Sequence, residues 1–471
     1  MITGAELIVG GLTLLAVLVY PLRRWAFMSA LAGAVAGILL AMLSLRWPLD
    51  RVVSVWGHPV LLNRPLEGLG YTLVVTGAER PVLTMLGLAA LAAFAGIRLR
   101  SSGRSFVPIG LVILALWAGA VIVHPMMGTL TGLLAASCLS AFIVQAGRTA
   151  PTRAAFRQVW WPLAAFMLML VAGWHVQEMA LRPDDATYLR MATWLIGISL
   201  LVLLAPVPLH APFVSLLAEA PPVVGAFLAV GGQVVVLHLI WDVFLQWPWL
   251  SEHMAVSRAL TATGLITLLW GAMGALSAGR ARRLWAYAAL HDWGVFLVGF
   301  GLGAPLEWRM AAALFVGRAL SLFLSAYGFT NLESHGIADD LEAVRGLMRR
   351  LPWTVLAILV GGLGLAGFPL TASFGLRWTL IQTLLRTRPV WGLLIVVGQL
   401  GVSLGYLRLL QSFWAPLPPS RRLIPRERLS SGLLLIVGVV LSGGLALIPQ
   451  LLDGVVRMMI EIVVQISRPG M

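Results

Sequence analysis

The chain has 471 residues, of which 59% are hydrophobic and only 11% charged, where a soluble globule carries about 25% charged residues. That composition excludes a soluble domain and predicts an all-α polytopic membrane protein. The net charge of +14 does not point to nucleic acid, because the arginines lie in short loops between apolar runs, as cytoplasmic loops beside anionic lipid do.

About 14 spans are expected at roughly 20 apolar residues each. In chain order they are 5–21, 26–45, 80–97, 106–123, 127–147, 158–177, 191–207, 220–246, 257–277, 284–303, 308–329, 352–385 (broken near Pro369), 389–413 and 432–449. The opening segment reads as a first span, not a signal peptide, since it lacks a basic start and a small-residue cleavage site. A long polar loop, 46–79, carries Trp47 and Trp56 as expected interfacial anchors. The connection 331–350 is the long polar inner one, and its end is expected to form a short amphipathic helix on the membrane surface. The tail 452–468 is apolar but holds Asp453, Arg457 and Glu461, so it is either interfacial or a short extra span.

Arginine clusters at 23–24, 98–104, 148–157, 280–283, 345–350 and 421–428 fall on one side if the N-terminus is outside. This positive-inside pattern orients the chain in the cell inner (cytoplasmic) membrane or an equivalent energy-transducing membrane. Arg386 and Arg388 depart from it mildly. All 33 basic residues are arginine. The lone cysteine, Cys138, excludes an intrachain disulfide and a cysteine-rich metal or iron–sulfur site, and no cofactor or metal motif is read.

Two apolar segments are interrupted by Pro and Gly, 191–222 and "VGGLGLAGFPLTASFGLRW" at 360–378. They belong to the seventh and twelfth expected spans, so the two copies run in opposite directions. Paired broken helices in inverted repeats mark a transport path, because freed backbone groups survive at membrane depth only inside protein or along a wet cavity. The organisation expected is one membrane domain: N-terminal helices over 1–104, a first five-helix repeat over 105–250, an inverted second repeat over 255–413, and a C-terminal helix or helices over 430–471.

Five stretches, in order, resemble one family. They are "PLH" at 208–210 with "APPVVGAFLA" at 220–229, "RARRLWAYAALHDWGVFLVG" at 280–299, "ALFVGRALSLFL" at 313–324, "DLEAVRGLMRRLP" at 340–352 and "GLGLAGFPLTASFGLRW" at 362–378. On these the chain resembles the antiporter-like membrane subunits of complex I (NADH:quinone oxidoreductase), membrane-bound hydrogenases and multisubunit Mrp-type cation/proton antiporters. The resemblance covers about residues 60–412 and leans toward the N-like rather than the M-like subunit. It implies a non-catalytic subunit among other membrane-arm subunits, with quinone, flavin and Fe–S on partner chains and protons as the transported species.

The family relays protons on buried Glu and Lys, and here the sequence departs. No acidic residue lies between Arg80 and Glu178, so the fifth-helix Glu of the family is absent. Leu203 and Gln233 stand at two relay-lysine positions, Arg318 and Arg377 at two more, and Arg282 replaces a loop lysine where the exchange is expected to matter little. Arginine stays protonated and is a poor carrier. The proton-path or channel-lining candidates are therefore His210, Glu219, Gln233, His238, Asp242, His291, Asp292, Arg318 and Arg377. Each has a bland alternative: His210 as a hydrogen-bonder at the break, Glu219 as a helix cap, His238 and Asp242 as an i,i+4 pair, and the arginines as packing or snorkelling residues. The expectation is a subunit with a degenerate or rerouted proton path. The alternatives are a non-pumping structural spacer, or a subunit of a cation/proton antiporter or inorganic-carbon uptake system.

Overall fold

In a chain this apolar, backbone groups must be satisfied within their own segment, and helices do this. The computed structural model describes residues 2–55, 57–96, 103–146, 152–302, 305–416, 425–448 and 450. The apolar tail 452–468 and Trp56 lie outside the described residues.

The helices are α1 (Gly11–Leu22, entered through a π-helical turn at Glu6–Gly10), α2 (Ala26–Arg46), α3 (Arg80–Ala95), α4 (Phe106–Ile122), α5 (Met127–Gln145) and α6 (Arg153–Leu181). There follow α7 (Ala186–Leu204), α8 (Ala211–Glu219), α9 (Pro222–Gln246), α10 (Trp249–His253), α11 (Val256–Ser277) and α12 (Ala281–Gly301). The last are α13 (Pro305–Ser334), α14 (Pro352–Ala366), α15 (Phe374–Thr387), α16 (Pro389–Trp414) and α17 (Leu429–Leu447). Starts follow local chemistry. Thr152 and Asp185 cap α6 and α7 through Ala155 N–H and Thr187 N–H, and Pro352 and Pro389 open α14 and α16, where a missing N–H is harmless. Among the described residues, eight helices are long and apolar enough to cross a membrane.

Two expectations are corrected. The chain is mainly but not wholly helical: the loop 46–79 folds into two hairpins, β2 (Val53–Val55) with β3 (His58–Leu61) and β4 (Leu66–Gly68) with β5 (Tyr71–Leu73). β1 (Ile2–Thr3) and β6 (Val123–His124) extend them to three strands each. Leu69 and Gly70, both at positive φ, make the two-residue turn that matches strand twist. The second correction concerns 331–350, which forms no amphipathic surface helix. Gly336 and Gly346 adopt left-handed φ of 67° and 73°, leaving one three-residue 3₁₀ turn, Leu347–Arg349. Val344 and Leu347 are buried within the protein.

The chain divides into two compact units. One comprises Met1–Ala95, Gly103–Ala205 and Phe227–Val256. Its core is an aromatic cluster of Phe94, Phe106, Trp117 and Phe227, with ring centroids 5.1–6.0 Å apart. α2 lies against α3 through Gly37 and Gly87, where an added Cβ would meet backbone at 2.6–2.7 Å, the small-residue contact by which membrane helices approach. The other unit comprises Gly96–Ser102, Pro206–Ala226 and Ser257–Met471. Here α12 is buried along almost its whole length and packs on α8, α13, α14 and α16. α13 is also deep, with 83% of its apolar window buried. Those two helices carry Arg282, Asp292, Arg318 and Glu333, described next.

Candidate buried charge site

The first break separates α7 from α8. Pro206 disfavours helical backbone at Ala205, which turns left-handed (φ 49°), and the prolines at 206 and 208 offer no N–H to continue the ladder. The Val207 N–H is met by Thr267 Oγ1 of α11 at 3.0 Å. His210 then opens α8. Trp270 Nε1 donates to His210 Nε2 at 3.1 Å, and an indole N–H only donates, so the imidazole lone pair lies on Nε2. The Nδ1 proton is given to the Pro208 carbonyl at 3.2 Å. Glu219 closes α8, and two residues separate it from α9.

At the far end of α8 a second deficit appears. The Leu217 carbonyl would receive the N–H of residue 221, but Pro221 has none. Arg282 supplies the donor: its Nη2 reaches Leu217 O at 2.8 Å and also the Ala220 carbonyl, while Nη1 pairs with Glu333 Oε1 of α13 at 2.8 Å. Arg282 lies in the first turn of α12 and is 4% exposed. The reading of Arg282 as a loop charge is corrected, because the residue lies in a helix and makes a buried three-way guanidinium contact.

The second break follows α14. Gly367 is left-handed (φ 76°), with Gly367 N–H on Gly364 O and Phe368 N–H on Leu363 O, both at 3.0 Å, the Schellman arrangement that ends a helix. A Cβ at position 367 would strike Arg377 Cδ at 2.4 Å. Glycine here thus serves both the turn and the side chain packed against it.

Arg377, in the first turn of α15, meets Arg318 of α13 across one carboxylate. Asp292 of α12 accepts from Arg318 Nη1 on Oδ2 and pairs with Arg377 Nη2 through Oδ1. Arg318 also donates to Ala289 O at 2.8 Å, and its guanidinium lies over the rings of Trp293 (5.1 Å) and Phe213 (5.4 Å). Both arginines are 1% exposed and Asp292 5%. Buried ions survive only when paired and hydrogen-bonded, and one carboxylate serves two guanidiniums, leaving the group at net positive charge. His291, fully buried and next to Asp292 in sequence, engages Leu268 O through Nδ1 at 2.9 Å, and its Nε2 has no hydrogen-bond partner among the described residues.

Of the sequence candidates, then, Asp292, Arg318 and Arg377 share one site. His210 and Glu219 flank the first break. His238, Asp242 and Gln233 lie on α9, in the other unit from the three charges. His238 Nε2 lies 2.9 Å from the Val121 carbonyl in the last turn of α4. Asp242 Oδ2 sits 3.3 Å from the same nitrogen without a hydrogen bond among the described residues. Sequence reading undervalued Arg282 and missed Gln399, whose Nε2 is buried on α16 without a hydrogen-bond partner among the described residues. The Pro221–Pro222 pair was a usable signal for the first, since it strips N–H groups from a carbonyl that must still be met. An amide in the apolar first half of α16 was a signal for the second.

The family described as NADH:quinone oxidoreductase/Mrp antiporter, transmembrane, matches residues 162–403. NADH-quinone oxidoreductase subunit N 1 of Roseiflexus castenholzii is 30% identical over 271 residues, which is 53% of this chain and 49% of that protein. The chain spans about half the length of the curated relatives it matches. Among solved structures, a chain of the Mrp complex from Dietzia sp. DQ12-45-1b superposes with TM-score 0.76 at 16% identity, covering 97% of this chain and 96% of that one. A chain of respiratory complex I from Thermus thermophilus does so with TM-score 0.71 at 19% identity, covering 95% and 98%. These likenesses show a shared fold, and together with the match across more than half of the sequence they give the assignment: the chain belongs to the NADH:quinone oxidoreductase/Mrp antiporter transmembrane family.

Proposed function

We propose that this chain is an antiporter-like, membrane-arm subunit of a complex I-like NADH:quinone oxidoreductase or a related energy-converting complex, in which the charge of the central site is fixed instead of relayed. In this reading it crosses an energy-transducing membrane about 14 times with its N-terminus outside. Two inverted five-helix repeats, 105–250 and 255–413, each contribute one broken helix. Other membrane-arm subunits are among its partners, and quinone, flavin and Fe–S centres belong to partner subunits of the complex.

The observation that carries this reading is Asp292 held between buried Arg318 and Arg377. A guanidinium keeps its proton at any physiological pH, so neither arginine alternates between charged and neutral states as a buried lysine does. What remains is an electrostatic element that orients neighbouring dipoles and water, while His210, Glu219, Gln233, His238, Asp242 and His291 are the groups left for a rerouted path. The second reading, a non-pumping spacer, is favoured by the acid-free stretch between Arg80 and Glu178. A cation/proton antiporter or carbon-uptake assembly is the third.

The test has two stages. Capture of the chain from native membranes with hydrophilic Fe–S and quinone-reductase subunits supports the first reading. Capture with only antiporter-type subunits or a carbon-uptake partner moves the assignment to the third. Proton yield per electron is then measured in proteoliposomes for wild type and for the Arg318→Lys/Arg377→Lys double variant. A wild-type yield equal to that of complexes with lysine at both positions overturns the fixed-charge reading.

A further inference from the structure

A helix that meets lipid exposes apolar side chains. α16 follows that rule with Leu393, Val397 and Leu400, and α6 follows it with Met167, Leu170 and Val171. α15 breaks it. Its buried side carries Arg377, Leu380, Ile381 and Leu384. Its other side is exposed and runs through Trp378, Thr379, Gln382 and Arg386, a spacing of three and four that makes one stripe along a helix.

The stripe lies alongside a membrane span. One residue, Arg388, joins α15 to α16, so the two helices run back beside each other, and a Cβ added at Gly392 would meet Leu385 N at 3.1 Å. α16 has 26 residues, about 39 Å at roughly 1.5 Å per residue against a hydrocarbon layer of about 30 Å. Pairing residue 385 with 392 sets Gln382 level with Ile395 and Thr379 level with Gly398, among the exposed leucines and valines of α16. Thr379 and Thr383 spend their hydroxyl protons on carbonyls of their own helix, Gly375 O at 3.0 Å and Thr379 O at 2.9 Å. The Gln382 carboxamide is different, because an amide left in hydrocarbon without a hydrogen bond costs several kcal/mol. Arg386 lies one turn nearer the membrane surface and departs from the positive-inside pattern, so inner-leaflet lipid is not its counter-charge. A headgroup reaches Arg386 but not Gln382. A second helix laid along the stripe meets both, and it can come close, since an added Cβ at Gly375 on this face meets nothing.

We propose that the exposed face of α15 docks a transmembrane helix of a neighbouring subunit, one that offers a hydrogen-bonding side chain to Gln382 and, a turn nearer the surface, a carboxylate to Arg386. The inference rests on the reading of this chain as one subunit of a membrane assembly, and it adds which face is covered and by what chemistry. It does not depend on whether protons cross the chain.

The experiment uses the full chain in native membranes, with the photoreactive residue benzoylphenylalanine in place of Gln382, and in place of exposed Leu400 on α16 to give the lipid background. After illumination the adducts are sequenced. Position 382 should join one transmembrane segment of a different subunit, and that segment should carry an Asp or Glu. Arg386→Glu then sets like charges together and should lower the adduct yield about tenfold, and exchanging the partner's carboxylate for Arg should restore it. Both substituted positions are exposed, so the fold is kept, which size exclusion checks. Adducts from position 382 to lipid alone, to a second copy of this chain, or to a segment without a carboxylate overturn the proposal, as does an unchanged yield in Arg386→Glu. Capture of the chain alone from native membranes overturns both this inference and the assignment above. An intact assembly in which position 382 labels only lipid overturns this inference and leaves the assignment standing.

Discussion

At the break after Ala205, freed backbone groups are met by neutral partners or by a charge from the flank. Thr267 takes the Val207 N–H, the His210 imidazole bridges Trp270 and Pro208, and Arg282 closes the carbonyls of α8. At the break after Ala366 the helix ends by its own Schellman turn, and the space beside Gly367 is given to a guanidinium that meets Asp292. The two interruptions look alike as strings of Pro and Gly, yet the first is held by hydrogen bonds and the second encloses charge. One consequence is that the same kind of substitution should have unequal effects at the two places.

The largest effect is expected from Asp292→Asn. It leaves two guanidiniums facing each other in a buried site, and breaking a buried pair typically costs about 3–5 kcal/mol. The variant should lose most of its monodisperse, heat-stable fraction by fluorescence-detected size exclusion, whereas neutral changes at the first break should not. A folded, stable Asp292→Asn protein would erase the distinction between the two breaks. Arg282→Gln comes next. It removes the ion pair with Glu333 and reopens the Leu217 carbonyl that Pro221 cannot serve, a loss of about 3 kcal/mol by the same reasoning applied to hydrogen bonds with charged groups. Arg282→Lys should recover only part of it, because an ammonium lacks the planar fork. Thermal midpoints of the two variants, measured side by side, check both statements. Gly367→Ala should follow at about 2 kcal/mol, from left-handed strain and the contact with Arg377 Cδ. Alanine at Gly375, where a Cβ meets nothing, is its control.

The unequal legibility of these sites in the sequence has a physical basis. Helix positions and both interruptions could be read because they depend on local quantities, apolar run length and the missing N–H of proline. Asp292 could be seen only as the neighbour of His291, since its partners lie on helices that tertiary packing alone brings to it. The two hairpins of 46–79 are short and polar, too weak in alternation to stand out from a loop. The stretch ending at 350 read as a surface helix because its apolar spacing fits one, and only the left-handed Gly336 and Gly346 turn those residues inward. Arg282 was undervalued because a charge in an Arg-rich loop usually meets water. The prolines that make it necessary are some sixty residues earlier, and its hydrogen bonds to the Ala220 and Leu217 carbonyls span 62 and 65 positions.

The smallest expected effect sharpens the comparison most, because it asks whether the first break is held by specific hydrogen bonds or by shape. Trp270→Phe removes the indole N–H and leaves His210 Nε2 without that donor, and His210→Phe removes the bonds to Trp270 and Pro208 while keeping a ring. Trp270→Phe should lower stability by about 1 kcal/mol, the net value of one neutral hydrogen bond, and His210→Phe by about 2 kcal/mol. If the bond is the device, the double variant loses less than the two singles summed, since the second change deletes a contact already gone, and the coupling in the cycle should be about 1 kcal/mol. Strict additivity would mean that the rings only fill space and that the break stands on proline geometry and Arg282. The first interruption would then resemble the second in being shaped chiefly by one buried guanidinium, and the contrast between a hydrogen-bonded break and a charged one would fail.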